Sequence, residues 1–182
     1  DHEIDDVYIK RVLEIQNRPE MDKSNLNLVF TPQHGTALIP VTDVFNKAGY
    51  PYILLDEQCS FDPDFPNTKS PNPEEKVAYE KAIDLARKVN ADGVLSTDPD
   101  ADRVGIVVKH NNEYILLTGN QTGSILIEYL LKTKTQLNTL PKNPVIFNTV
   151  VTSDLGEKIA NHYGVEVEKT LTGFKFIGEK IA

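Results

Sequence analysis

The chain has 182 residues, 40% of them apolar and 25% charged, a composition of folded globular domains rather than of disordered chains. At about 100–200 residues per domain it holds one large domain or two small ones, and its longest apolar runs, such as Gly105-Ile106-Val107-Val108, fall far short of the ~18 residues a membrane helix needs. Its 19 basic and 27 acidic residues leave a net charge of −8, which argues against nucleic acid, bound through Lys and Arg, but not against a phosphorylated small molecule.

The start, Asp1-His2-Glu3-Ile4-Asp5-Asp6, is acidic where a signal peptide would be basic and then apolar. The single cysteine, Cys59, excludes an internal disulfide framework and points to a reducing, cytoplasmic setting. A chain that opens on Asp1 rather than Met is expected to be a piece of a longer protein.

Ile4, Val7, Tyr8, Val12 and Ile15 share one face of a helix predicted from Ile4 to Gln16. After a polar connection containing Pro19, Leu26–Phe30 reads as a strand, Thr31-Pro32-Gln33-His34-Gly35-Thr36 as a loop and Pro40–Lys47 as a helix ended by Gly49. Tyr52–Leu55 is the next strand. Asp56–Pro73 carries four prolines among polar residues and reads as a long surface loop. Asn72 is then expected to cap a helix with Pro73 at its first position, burying Ala78, Ala82, Leu85, Ala86 and Val89.

Gly93–Ser96 reads as a strand, Thr97–Asp102 as a loop and Val104–Lys109 as a strand that turns at Asn111-Asn112 and pairs with Tyr114–Leu117. A helix follows Thr118-Gly119-Asn120-Gln121 to about Lys132. Val145–Val150 is a strand, Ser153 caps a helix ended by Gly164, and Val165–Lys169 is the last strand. The strand, loop, helix and strand around residues 29–55 and 145–169 share order and spacing. Duplication explains this, and so does the frequency of such units in α/β proteins. The expected fold is α/β, with mixed, largely parallel sheets flanked by helices in two related three-layer units, the second incomplete.

Asp98-Pro99-Asp100-Ala101-Asp102-Arg103 is the strongest chemical signal. Two carboxylates held ~5 Å apart repel by about 3 kcal/mol at an effective dielectric of ~20, so three gathered together need a cation. Oxygen ligands suit Mg²⁺ or Ca²⁺; the calcium EF-hand pattern fails, because its sixth position is Arg103 instead of Gly and its twelfth is Lys109 instead of Glu. Three protein oxygens leave room for water and a phosphate oxygen, the usual manner of Mg²⁺, and Arg103 adds a planar fork suited to phosphate. The structural alternative is a solvated acidic turn.

With its flanks, Thr97-Asp98-Pro99-Asp100-Ala101-Asp102-Arg103 resembles the metal loop of the α-D-phosphohexomutases, the phosphoglucomutases and phosphomannomutases. Thr31–Thr36 resembles that family's T-P-x-H-G-T segment. Thr118-Gly119-Asn120-Gln121-Thr122-Gly123 and Leu171-Thr172-Gly173-Phe174-Lys175-Phe176-Ile177-Gly178 match it in order, and the phosphoglucomutase branch is nearest. The resemblance implies a Mg²⁺-dependent enzyme that interconverts hexose 1- and 6-phosphates, first of all those of glucose. It does so through a phosphoserine and a hexose bisphosphate.

On that resemblance Asp98, Asp100 and Asp102 are metal ligands and Arg103 contacts the transferring phosphate. Lys175 assists proton transfer or binds phosphate, or is a surface lysine at a helix start. His34 is catalytic, or orders its loop by a hydrogen bond. Asn120 and Gln121 organise the domain junction; His2, His110 and His162 read as surface residues, and Cys59 as no nucleophile.

The family's Ser-His-Asn loop, its sugar-reading G-E-x-S segment and its C-terminal phosphate loop have no counterpart in this sequence. Residues 1–117 are therefore expected to be the metal-binding second domain and 118–182 most of the third. The N- and C-terminal domains of the same protein would be partners, and this chain alone would have no mutase turnover. The competing readings are a haloacid-dehalogenase-type phosphatase with Asp98 as nucleophile, and a stand-alone metal- or sugar-phosphate-binding module.

Overall fold

A computed structural model of the chain describes residues 2–181, without the side chain of His2. The chain divides into two compact units, Asp1–Thr118 and Gly119–Ala182.

In the first unit α1 (His2–Glu14) precedes β1 (Leu28–Thr31), α2 (Leu38–Ala48) and β2 (Tyr52–Leu54). Pro40 lies inside the first turn of α2, where backbone N–H groups have no intrahelical acceptor and proline costs little. Gly49 ends α2 in the left-handed region at φ +74°, its N–H on the Asn46 and Phe45 carbonyls. After a short 3₁₀ turn at Asp56–Gln58 and a long irregular segment come α3 (Glu80–Val89), β3 (Gly93–Thr97), β4 (Val104–His110) and β5 (Glu113–Leu116).

The expected helix at Pro73 starts later. Residues Lys76–Tyr79 form a 3₁₀ turn, and the α-helix begins only at Glu80. Asn72 does not cap it. Its Oδ1 accepts the Glu74 N–H at 3.1 Å, closing a local turn that holds Pro73 and Glu74 out of the helix. Ala78, Ala82 and Ala86 are buried as expected, joined by Ile83.

The sheet order is β2-β1-β3-β4-β5. β1 pairs in parallel with β2 and β3, while β3–β4 and β4–β5 are antiparallel. Asn111 and Asn112 take φ +50° and +64°, the geometry of the tight turn that matches strand twist between β4 and β5. Successive residues of β1 point to opposite faces. Val29 enters the core with Ala82 and Ala86 of α3, Val94 and Val107. Phe30 meets Phe45 of α2 edge-on, with ring centroids 5.8 Å apart. The two crossover helices thus cover opposite faces of the sheet.

The second unit holds α4 (Gly119–Gln136), β6 (Val145–Thr149), α5 (Leu155–His162), β7 (Glu166–Thr170) and α6 (Phe174–Ile181). α4 continues a turn past the expected end at Lys132, because no breaker intervenes before Asn138, which turns the chain at φ +55°. Ser153 does not sit at the cap position, which is Asp154, but its Oγ accepts the Leu155 N–H at 3.2 Å. Gly164 turns the chain at φ +70°. β6 and β7 pair in parallel, and Leu131, Ala160 and Val165 form a small core with Ile127, Ile146 and Val167 around them. No helix among the described residues is long and apolar enough to cross a membrane.

Candidate functional site

The chain leaves β1 toward β2 on one side, and β3 lies against β1 on the other. Neighbouring parallel strands whose connections diverge leave a crevice beyond their carboxyl ends, where open α/β sheets bind ligands. The two loops that follow these strands are Thr31–Thr36 and Thr97–Arg103.

They are clasped together. The Thr36 N–H donates to the Pro99 carbonyl at 2.8 Å, and the Thr36 hydroxyl reaches the same oxygen at 3.2 Å. A Cβ on Gly35 would lie 2.6 Å from the Pro99 carbonyl carbon, and nearer still to its Cα and O. Glycine at 35 is what lets the second loop lie against the first.

Within the acidic loop Ala101 takes the left-handed conformation, φ +62°, and its N–H returns to the Asp98 carbonyl at 3.1 Å. One ligand oxygen from each of Asp98, Asp100 and Asp102 can be chosen so that all lie within 4.8 Å of one another. Opposite ligands stand about 4.2 Å apart around Mg²⁺ and about 4.6–5.2 Å apart around Ca²⁺, so the donor set fits one hard dication.

Asp98 is buried, 1% exposed, while Asp100 and Asp102 are open to solvent. The Asp98 Oδ1 accepts the Arg103 backbone N–H at 2.9 Å, and Oδ2 accepts the Arg103 Nε–H at 2.8 Å. Burial pushes the Asp98 carboxyl up, but these two bonds, helped by hydrogen bonds with Asp102 and Asp100, outweigh it and hold the group below the usual carboxylate range. Asp102 moves the other way, raised first by its hydrogen bond with Asp98 and then by the charge of Asp100. The crowding makes each charge costlier for its neighbours, and a bound cation would relieve it.

Arg103 also donates from Nη1 to the Asn72 Oδ1 at 3.1 Å. The structure therefore brings Arg103 to the aspartates, with a neighbour, Asn72, that reads in the sequence only as a helix cap. Asn followed by Pro73 after a proline-rich loop is the one local sign of a turn there. Gly35 is equally silent, since the residue it accommodates is Pro99.

His34, at φ +62°, is 1% exposed. Its Nδ1 lies 2.7 Å from the Ser60 carbonyl; a carbonyl only accepts, so Nδ1 carries a proton and donates. Its backbone N–H donates to the Gln58 carbonyl at 2.8 Å, and Nε2 is buried without a hydrogen bond. This is the geometry of a residue that ties its loop to the segment after β2. Lys175 belongs to the second unit, on the exposed start of α6, with Nζ 4.8 Å from the Phe176 ring centroid. Within that unit the Asn120 Oδ1 accepts the Ser153 N–H at 3.0 Å. His110 and His162 are exposed, and His2 falls on a side chain outside the described residues. Burial and the nearby charge of Asp56 raise the Cys59 thiol, which makes a poor nucleophile.

Residues 6–112 match the family description "Phosphoglucomutase/phosphomannomutase, alpha/beta/alpha domain II", and residues 118–182 match domain III of the same series. A phosphomannomutase of Mycoplasmoides pirum is 40% identical over 166 residues, covering 87% of this chain and 30% of the relative. A phosphoglucomutase of Staphylococcus aureus is 37% identical over 161 residues, covering 87% and 28%. The chain thus spans under a third of the length of these curated relatives. Among solved structures, a phosphoglucomutase/phosphomannomutase family protein from Burkholderia thailandensis superposes with TM-score 0.75 at 20% identity, over 98% of this chain and 35% of that one. A phosphomannomutase from Thermus thermophilus, described as putative, gives 0.70 at 17% identity, over 94% and 36%.

Proposed function

Because the chain belongs to the phosphoglucomutase/phosphomannomutase family, we propose that it is the central part of a Mg²⁺-dependent phosphohexomutase. The enzyme would interconvert hexose 1- and 6-phosphates, glucose first among them, through a phosphoserine and a hexose bisphosphate. Residues 1–117 would be the metal-binding second domain and 118–182 most of the third. The phosphoserine and the sugar-reading and phosphate-binding loops would lie in the N- and C-terminal domains of the longer, cytoplasmic protein, and this chain alone would turn nothing over.

The observation that carries the reading is the acidic loop itself: three carboxylates within 4.8 Å, at a sheet crevice, with Arg103 locked beside them. Asp98, Asp100 and Asp102 would hold Mg²⁺, which when bound would neutralise charge on a phosphoryl group in transfer. Asp98 sets the shape of the site, since its two hydrogen bonds to Arg103 fix the loop before any ligand arrives. Arg103 keeps N–H donors beyond those used by Asp98 and Asn72, and these would bind phosphate oxygens. Lys175 would approach a phosphate or move a proton, and His34 would hold the loop that shapes the crevice.

The phosphatase alternative parts from this reading in its chemistry: it requires a covalent phosphate on Asp98, detectable by mass spectrometry after exposure to a phosphate ester, whereas here Asp98 would be a metal ligand. Calorimetric titration with Mg²⁺ and Mn²⁺ tests the reading: the chain should bind one ion, and Asp98→Asn should weaken binding at least a hundredfold. Failure of the unmodified chain to bind either metal would sink the proposal, and robust turnover in a coupled glucose-1-phosphate assay would refute the inactivity of the chain alone.

A further inference from the structure

Arg103 carries five N–H donors in one plane. Asp98 engages Nε, and the Asn72 Oδ1, 31 residues earlier in the chain, engages Nη1. Two fixed acceptors on different edges of a guanidinium set both its position and the tilt of its plane. An exposed arginine with one partner would keep freedom about its last torsions.

Asn72 is itself immobilised. Its Oδ1 also accepts the Glu74 N–H, and its Nδ2 donates to the Glu75 Oε1, both at 3.1 Å. The next residue, Pro73, is buried, and its carbonyl accepts the hydroxyl of the fully buried Tyr79 at 2.8 Å. That carbonyl sits on Gly105, where a Cβ would lie 2.5 Å from the Pro73 oxygen and nearer still to the Tyr79 Oη. Gly105 lies in β4, two residues beyond Arg103, which immediately precedes that strand. The segment that carries Asn72 is thus packed against the glycine two residues beyond Arg103, with the Tyr79 hydroxyl beside the contact.

We infer that Asn72 is a positioning residue: with Asp98 it holds the Arg103 guanidinium as a rigid fork for phosphate. This rests on the proposed reading of the site. The ¹⁵N NMR signal of the Arg103 Nε–H reports the guanidinium directly, and inorganic phosphate in saturating Mg²⁺ is the ligand probe. Asn72→Ser keeps an oxygen that can accept the Glu74 N–H but is too short to reach Arg103. Asn72→Asp keeps both acceptor roles but loses the Nδ2 donor to Glu75 and adds a charge, so it is read on the Arg103 signal alone.

Asn72→Ala and Asn72→Ser should move the Nε–H signal toward that of a freely rotating arginine. They should weaken phosphate about five- to tenfold, the size of one lost charge-assisted hydrogen bond in a half-open site. Mg²⁺ affinity should stay within twofold, and Asn72→Asp, which still accepts from Arg103, should keep the Nε–H signal near the native one. The inference is overturned if Asn72→Ser retains the native signal and phosphate affinity, or if the Nε–H signal of Asn72→Asp matches that of Asn72→Ala. If the unmodified chain binds neither Mg²⁺ nor phosphate, the reading of the site falls and takes the inference with it, an outcome distinct from either of these.

Discussion

Gly35→Ala is the sharpest probe of how the acidic loop is held. The new methyl carbon would stand 2.6 Å from the Pro99 carbonyl carbon and nearer still to two of its neighbours, whereas non-bonded carbons settle at about 3.5–4.0 Å. Pro99 must therefore retreat by about 1 Å or more. Nothing in the conformation of residue 35 itself opposes alanine, since its φ lies outside the left-handed range. The retreat stretches both Thr36 hydrogen bonds to the Pro99 carbonyl, now 2.8 and 3.2 Å. Two lost hydrogen bonds at about 1 kcal/mol each, plus overpacking of about 1–3 kcal/mol, give a destabilisation of about 3–5 kcal/mol.

Pro99 lies between two of the ligands, so Asp98 and Asp100 lose their relative placement, and metal affinity should fall at least tenfold. The two effects separate in a thermal melt run with and without Mn²⁺. At a concentration a hundred times the native Kd, metal stabilises the native protein by about 2.7 kcal/mol, but a tenfold weaker variant by only about 1.4 kcal/mol. The variant should therefore melt about 6–20 °C below the native chain without metal and gain roughly half as much on adding it. Native melting temperature with native Mn²⁺ affinity would refute the clasp as the support of the site.

Three further outcomes follow from the same geometry. Asp102→Asn removes one of three crowded charges, so it should raise the melting temperature of the metal-free protein while cutting Mn²⁺ affinity; a fall in both would show that charge crowding does not govern the loop's stability. Ala101→Gly relieves a left-handed alanine at φ +62° and should stabilise the metal-free chain by about 0.5–1 kcal/mol in urea denaturation, net of the entropy lost from the unfolded state. Gly105→Ala should cost about 3 kcal/mol or more against Tyr79 and Pro73. In a Tyr79→Phe background, where no hydroxyl pins the Pro73 carbonyl, the cost should shrink by over 1 kcal/mol in a double-mutant cycle, and strict additivity would exclude the packing described.

The acidic cluster is legible in the sequence because its logic is local. Carboxylates at alternate positions in a short loop repel whatever surrounds them, and only a cation or protonation relieves that. The hairpin at Asn111-Asn112 and the end of α2 at Gly49 are legible for the same reason, each resting on a residue that tolerates positive φ. The start of α3 is not, because Asn72 is a competent cap by type. Its oxygen is taken instead by Glu74 and by Arg103, the second of which no pattern near residue 72 announces. His34 stays ambiguous in sequence because its partner, the Ser60 carbonyl, comes from a stretch with no regular structure. Gly35 is opaque in the same way: a glycine after a strand fits any turn, and its actual demand is set by Pro99.

These cases share a cause. The acidic loop has no helix under it and contributes only one deeply buried carboxylate, so apolar packing cannot define its shape. Polar clasps from three separate segments do so instead: Thr36 on Pro99, Asn72 on Arg103, and the 58–60 segment holding His34 in the loop that carries Thr36. The segments converge because β1 and β3 are adjacent and parallel, which puts both following loops at one end of the sheet whatever their separation in sequence. Ligand identity is therefore written into six consecutive residues, while ligand geometry is distributed over some seventy. A variant series built only on the aspartates would measure the first and miss the second, and Gly35→Ala and Asn72→Ser separate the two because neither residue supplies an atom to the cluster.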